Sequence, residues 1–489
     1  MKSKQVSEAI EAATDKLRDA LEILSEIGTE ESSESSISSF SYEDTEISDI
    51  NRKLASSYLP IGRWLIPQYA QPDDSGKLQV GVGADHYNGI KHVVLHFREK
   101  DVKISSPTKG DGSRGGRYVK ELDLSDCPPG IHELSATVVP VDGEVLELKG
   151  NDVTFAGMYS LSILVPHGDE PVVEVSKSGD LKDALSSIKE GGTVLIKRTG
   201  FYTISSGCNR KRMDKPIFLE AAPGVKAYLT SPSATKDTYL RPQINKIVVK
   251  NLILDDKYGG TNWYSEDSDT FTWDSCRFMN TAGGISQINK MPRVMRWSTG
   301  ARHYINCHGE NLVNGFKPAH LVSGCTIDLC GGDAWQNSTV VIDCLINGMR
   351  RDIEKLHLDI FQSWNGIKNA YLDGITSLDV KDTQNIFIQG GGEDDWHNDG
   401  VSIRNVVMTR GKDYDGPLNS QFSGTNRHVL LRDWNINGEG LLLRTDFFDE
   451  TGKGVHSRFE SEVFLIENID TEPKSGKWGV GIPDNVEVR

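Results

Sequence analysis

The sequence predicts an all-β chain whose second half is a coil of stacked strands, and three observations lead there. The first is a short phrase, an apolar stretch interrupted by one small or polar residue, that recurs at irregular intervals. Its copies are VVKNLIL around Asn251, TWDSCRF around Ser275, YINCHGE around Asn306, LVSGCTI around Gly324, VIDCLIN around Asp343, YLDGITS around Asp373, SIRNVVM around Asn405, LLRDWNI around Asp433 and FLIENID near Asn468. The second is that Asn, Asp and Gly turns separate these alternating segments and no steady helical period runs through them, as in a solenoid whose rungs share one core. The third is a column of cysteines: Cys276, Cys307, Cys325 and Cys344 each directly follow the interrupting residue. Free cysteines behave as small buried hydrophobes, so the column reads as an interior ladder.

Composition narrows the function. A chain of 489 residues exceeds one compact core, so two or three modules are expected. Seven cysteines with no CxxC pair predict reduced thiols, made in a cytosol, rather than a disulfide framework or a zinc site. The net charge of −16 argues against a nucleic-acid partner, which needs a basic footprint, and against adsorption to an anionic membrane. No apolar run reaches the length of a membrane span. An acidic polysaccharide would need a local basic patch.

Taken from the N-terminus, residues 1–28 form a helix. Val6, Ile10, Ala13, Leu17, Ala20, Leu24 and Ile27 follow a heptad seam, with Ser3 to cap it and Gly28 to end it. An isolated helix of this length is marginal in water, so the seam predicts oligomerisation or attachment to a partner. It does not fix the number of copies, a trimer being one state it allows. The segment lacks the uninterrupted apolar core of a secretory signal. Residues 29–50 are serine-rich and acidic and read as a flexible linker.

Residues 51–169 read as a small β-sandwich with its lead-in. Val80, Val82 and Ala84 share one face, as do Val93, Leu95 and Phe97, then Leu134, Ala136 and Val138, then Leu161, Ile163 and Val165, each set bounded by Gly, Pro or Asp turns. The phrases ADHYNGIKHVVLHF, ELDLSDCPPGIHELSATVVPVDG and YSLSILV resemble immunoglobulin-like modules that precede repetitive β domains in extracellular and viral proteins, which implies a spacer or docking role.

Residues 170–489 hold the coil. VVEVS, DLKDALSSIKE, GTVLIKR and GFYTIS give a strand, a short helix and two strands, with Asp180 as N-cap and Leu181, Ala184, Leu185 and Ile188 as the apolar helical face covering the first coil. This helix, the GTVLIKRTGFYTI strand pair and the Asn/Asp/Gly-punctuated rungs resemble the pectate-lyase-like right-handed parallel β-helix family. That family includes polysaccharide lyases, glycoside hydrolases and phage tailspikes, so the resemblance implies a carbohydrate-facing scaffold and leaves the chemistry open.

The most site-like stretch is RRDIEKLHLDIFQ. A strand here puts His357 and Asp359 on one face and turns Leu358 and Ile360 into the core. His357 or Lys355 is a candidate base, Arg351 a candidate cation for a developing enolate, and Asp359 a carboxylate for lyase or hydrolase chemistry. The His-x-Asp-x-x-Gln pattern resembles strands of marine and viral β-helix proteins whose following rungs also carry Gln and His. This implies substrate-binding roles for Gln362, Gln384, Gln389, Gln421, His428 and Arg444, with Arg444 the alternative to Arg351 as the cation, while Trp364, an aromatic of the rung loops, suits sugar stacking or subunit contact. The alternatives are binding without chemistry and plain hydrogen bonding to neighbouring turns. No metal ligand set is predicted. The loop Gly390–Gly400, with its carboxylates and Trp396, offers calcium binding and sugar stacking as alternatives to a solvated loop.

Three functions fit these readings. One is a virion tail-spike or tail-fibre protein, made in host cytoplasm and attached to other tail proteins through its N-terminal segment, that binds and in one version depolymerises host surface polysaccharide. The second is a free extracellular polysaccharide lyase or glycoside hydrolase. The third is a structural assembly protein with an inert coil.

Overall fold

A computed structural model gives the fold and describes residues 43–111, 114–150, 159–203, 213–230, 239–240, 244–255, 262–263, 270–279, 301–312, 314–316, 318–349, 358–363, 366–380, 384–390, 397–411, 419–437, 440–443, 459–471, 473–475 and 486–489. The chain divides into two compact units, Met1–Glu46 and Ile47–Arg489. The heptad segment 1–28 and most of the serine-rich segment lie outside the described residues. No helix among the described residues is long and apolar enough to cross a membrane.

The first described element is a helix, Glu43–Ala55, which begins inside the segment expected to be linker. Composition hides it because its inward contacts are few and partly polar. Ala55 is fully buried, and Asn51 donates its amide to Glu487 at 3.2 Å.

Two antiparallel sheets follow. One holds Ile61–Trp64, Lys77–Asp85, Gly115–Asp123 and Lys109–Asp111; the other holds Lys100–Ile104, Ile90–Phe97, Gly130–Pro140, Leu146–Leu148 and Leu161–Val165. They enclose one apolar cluster that contains all four alternating sets expected from the sequence. Period-two alternation is enough to specify it, since each strand offers one apolar face.

From Val172 onward the strands are parallel. Nineteen join one sheet, six another, and the pairings step from each coil to the next, an arrangement compatible with a parallel β-helix. In the middle of the stack each coil contributes a first arm, a one-residue bend and a second arm. Examples are Lys246–Lys250 with Ile253–Asp255, Thr270–Asp274 with Arg277–Met279, and Ala301–Ile305 with His308–Leu312. Later coils run the two arms as one long strand, as in Val340–Met349, Lys368–Val380 and Asp399–Arg410.

The interrupting residue of the repeated phrase is the bend. Asn251, Ser275, Asn306, Gly324, Asp343, Asn405, Asp433 and Asn468 all have φ between +49° and +62°, the left-handed region that Asn, Asp and Gly tolerate best. In YLDGITS the bend is Gly374, at φ +75°, and not Asp373. Asp373 is the last residue of the first arm and is buried. The residue after each bend turns inward. Cys276, Cys307, Cys325 and Cys344 are at most 2 % exposed, and each thiol points at a backbone carbonyl of the preceding coil, Cys276 Sγ lying 3.4 Å from Val249 O.

The short helix Leu181–Ser187 places Leu181, Ala184 and Leu185 in the central core at the first coils, and Ile188 follows them there. Asp180 sits at its N-cap position but makes no side-chain cap bond.

The sandwich is seated along the outer face of the first arms. Tyr69 and Leu164 cluster with Phe218 and Val248, and Ile61, Leu65 and Tyr87 cluster with Leu321, Val340, Ile342, Tyr371, Leu430 and Leu465. Gly83 is required there, because a Cβ would lie 2.5 Å from the Tyr371 ring. Charged pairs fasten the same seam. Arg117 bridges Asp343 and Asp373, with Nε 2.6 Å from Asp373 Oδ2, and Arg114 reaches Asp433 and Glu467 at 3.0 Å. Asp85 accepts from Ser402 Oγ at 2.7 Å beside Arg404 and Arg432. Farther along, Tyr87 and Arg489 meet Glu487, Ser48 meets Arg489 at 3.1 Å, and Tyr58 donates to Glu462. The spacer expected from the sequence is therefore integrated into the side of the coil.

Candidate functional site

With the first-arm face occupied by the sandwich, five of the residues expected to act, Asp359, Gln362, Gln384, Gln389 and Gln421, stand on the six-stranded sheet. Its strands are Trp335–Gln336, Asp359–Ser363, Gln384–Gln389, Asn419–Ser423, Gly440–Leu443 and Pro473–Ser475, all parallel. Phe361, Ile386, Ile388, Phe422, Leu441 and Leu443 enter the central core. By alternation Gln362, Phe387, Gln389, Gln421 and Ser423 point away from it.

Register sets Gln336, Gln362, Phe387 and Gln421 side by side on consecutive coils. Gln336 donates its amide to Gln362 Oε1 at 2.8 Å. Gln389 pairs in register with Ser423, and Asn385 lies two residues before Phe387, where the pairing with the next strand is irregular. The side chains here are buried: Asn385 and Ser423 are 0 % exposed, Gln421 3 % and Gln389 8 %.

Both amide atoms of Asn385, Oε1 of Gln389, Oε1 of Gln421 and Oγ of Ser423 are buried without a hydrogen-bond partner in the protein. A buried polar atom left unpaired costs about 1–3 kcal/mol, so five on two adjacent strands call for an explanation. A set of carboxamides and a hydroxyl beside one phenyl ring has the chemistry to hydrogen-bond sugar hydroxyls and pack the ring's C–H face.

The other expected site residues distribute as follows. Asp359 opens the second strand of this sheet, opposite Gln384, with its side chain fully buried and its carbonyl accepting from Ala334 N–H at 2.9 Å. Leu358 and Ile360 are in the core, and so is Phe361, so the alternation slips by one between residues 360 and 361 before Gln362 turns outward. Gln384 is in the sheet backbone, and its side chain lies outside the described residues. So do His357, Arg351, Lys355, Trp364 and Arg444, and most of the loop between Gly390 and Gly400.

His428 is elsewhere. It precedes the first-arm strand Val429–Asn435, is fully buried, accepts Tyr87 N–H on Nε2 at 3.2 Å, and stacks on Tyr58. It is a seam residue and does not join the carboxamide row. Trp335, which precedes Gln336 in the first strand of the six-stranded sheet, is buried in the central core. No group of three or more His, Cys, Asp or Glu side chains placed to hold a metal is found among the described residues.

Sequence reasoning missed Gln336, Asn385 and Ser423. Gln336 sits in a two-residue strand with no visible alternation, while Asn385 and Ser423 look like ordinary turn formers. It also missed a ladder on the second arms. There Arg277 pairs with Glu310, His308 Nε2 lies 2.7 Å from Asp328 Oδ2, and Asn347 reaches Asp328 at 3.4 Å, across four successive coils. These groups are half-exposed and satisfy one another, as cross-strand pairs on a solvated sheet do.

No family model matches the chain, and no curated protein matches it. Among solved structures, an endo-beta-1,4-mannanase from Thermotoga petrophila matches with 16% identity and a TM-score of 0.17, over 22% of this chain and 19% of that one, a likeness too slight to carry an argument about fold or activity.

Proposed function

We propose that this protein binds a polysaccharide on the side of its coil formed by the six-stranded sheet, in the manner of a pectate-lyase-like right-handed parallel β-helix. The observation that carries the reading is the set of unpartnered buried polar atoms on Asn385, Gln389, Gln421 and Ser423, next to the Gln336–Gln362 pair. The biological setting that fits is a virion tail-spike or tail-fibre protein. Its heptad seam supplies oligomerisation and attachment to other tail proteins, its immunoglobulin-like sandwich braces the coil, and the coil meets host surface glycan. A glycan array, followed by particle-incorporation assays on a chain lacking residues 1–42, tests it. Glycan binding with loss of assembly in the truncated chain is the expected result, and a protein that binds no glycan contradicts it.

A second reading, cleavage of the bound glycan by a lyase or hydrolase, is favoured by one observation: the Asp359 carboxyl is buried on the strand that carries Gln362. His357 or Lys355 would then act as base and Arg351 as the cation. Reducing-end and unsaturated-uronate assays separate hydrolase, lyase and binding-only outcomes. Asp359→Asn would lower turnover about a hundredfold in either enzyme.

A further inference from the structure

We propose that the helix Glu43–Ala55 is a contact between copies of this chain, formed where its exposed stripe of Ile47, Ile50 and Leu54 meets the same stripe of a second copy; this inference rests on the reading of the N-terminal segment as an oligomerising device. The helix is mounted with its more apolar side outward. Ser48, Asn51 and Ala55, spaced three and four apart, make one face, and that face is docked. Arg489 Nη2 donates to Ser48 Oγ at 3.1 Å, Asn51 donates to Glu487 at 3.2 Å, and Ala55 is fully buried. Ile47, Ile50 and Leu54 keep the same spacing one residue earlier and make the neighbouring face. Ile47 is half-buried, while Ile50 is 52 % exposed and Leu54 42 % exposed. A helix that only straps onto a protein turns such a stripe inward. Single exposed apolar side chains are ordinary, but a helix whose serine and asparagine face the protein while an isoleucine and a leucine face water calls for a cover.

The occupant follows from the spacing and from the chain that precedes the helix. Steps of three and four are the seam positions through which a helix meets another copy of itself. Residues 1–42 lead directly into this helix and carry the seam from Val6 to Ile27 at the same spacing. Copies joined through that seam hold their Ile47–Leu54 stripes at high local concentration, so a stripe too short to associate alone comes into use. An isologous contact asks for one patch that complements itself, and an apolar stripe does. The docked face adds rigidity, because the bonds to Glu487 and Arg489 fix the direction in which the stripe is presented.

The test is sedimentation velocity of the full-length chain over a range of concentrations, beside Ile50→Glu/Leu54→Glu, the seam variant Leu17→Glu/Leu24→Glu, and all four substitutions together. Expected are an assembly in the parent, a dissociation concentration raised about tenfold or more by Ile50→Glu/Leu54→Glu, and monomers when the four are combined. Melting curves recorded below the parent's dissociation concentration should coincide for the parent and Ile50→Glu/Leu54→Glu, since exposed side chains add little to the fold of one copy. Ile50→Ser/Leu54→Ser should weaken assembly in the same direction without adding charge. An Ile50→Glu/Leu54→Glu protein that assembles as tightly as the parent, while the seam variant falls apart, would overturn the inference and leave the seam reading intact. A parent that is monomeric at every concentration would overturn both and give the stripe to a different partner. A glutamate variant that melts earlier as a monomer, together with a serine variant that assembles like the parent, would make the two residues structural and overturn the inference as well.

Discussion

The imidazoles of His86 and His428 meet edge to face with ring centroids 4.9 Å apart, where the turn after the first helix, the sandwich and the first-arm sheet converge. His86 Nε2 lies 3.1 Å from Ala55 O and 3.3 Å from Tyr58 O, and its Nδ1 accepts Asn88 N–H. His428 Nε2 accepts Tyr87 N–H. Each ring thus uses one nitrogen as an acceptor and is held neutral.

Acid should therefore loosen this junction. Burial pushes His86 down to about 4, against the pull of Ala55 O, Asp85 and Asp142, and Arg432 adds to the lowering. Burial, then His86, then Arg432 lower His428, with Leu59 O opposing. Because the folded values lie below the unfolded one, the stabilisation is fully present above about pH 6.5 and is lost as pH falls towards 4. His86 alone accounts for about 3 kcal/mol of that loss. Melting temperatures across this range should fall with acid in the native protein and less steeply in His86→Asn and His428→Gln. Equal slopes in all three would place the acid sensitivity elsewhere.

Arg117 should be the most costly surface-strand arginine to remove. Asp343 and Asp373 raise its already high value after burial is overcome, and Asp373 is 1 % exposed in its side chain. Arg117→Ala takes the bonded cation from that buried carboxylate, which keeps only the Tyr371 hydroxyl and the Asn405 amide as donors, for a loss of about 3 kcal/mol, whereas Arg117→Ala combined with Asp373→Asn should recover part of it. Denaturant titration of the two variants decides whether they differ.

The bend column predicts a sharp residue preference. Gly324 has φ +62°, and a Cβ there would lie 2.4 Å from Asn306 Oδ1, so Gly324→Ala should cost about 1–2 kcal/mol or more. Asn306→Gly, at φ +51°, should change stability by only a few tenths of a kcal/mol. A Gly324→Ala variant as stable as the parent would contradict the bend assignment.

Thiol labelling of the native protein should leave Cys276, Cys307, Cys325 and Cys344 unmodified until denaturant is added. Cys276 and Cys325 are fully buried, and burial pushes both thiols well above their usual value. Among the described cysteines Cys127, half-buried in the sandwich, should react first. Rapid modification of the four ladder cysteines would remove them from the core.

The coil was legible because each repeat must place one residue in the left-handed region, and few side chains go there cheaply. The off-by-one reading of Asp373 came from two turn formers in a row, Asp373 and Gly374. Only the neighbouring coils decide which one bends. The carboxamide row was half legible: Gln362 and Gln421 stand in alternating strands, while Asn385 and Ser423 acquire meaning only when adjacent coils bring them together. The seam was not legible, since Arg117 and Asp373 are 256 positions apart and their pairing is purely tertiary.

A solenoid held only by neighbour-to-neighbour contacts melts gradually, its outermost rungs fraying first. Here the last strand, Val486–Val488, is latched to residues near position 50, with Asn51 on Glu487 and Ser48 on Arg489. Several rungs, among them those of Asp343, Asp373, Arg404 and Asp433, are bridged by the sandwich, so loosening one of them strains a strut that also holds the others. The coil should consequently behave as one cooperative block, with a single steep unfolding transition and no frayed terminus for proteases to exploit, at the kinetic expense of closing the longest loop in the chain before the structure is secure.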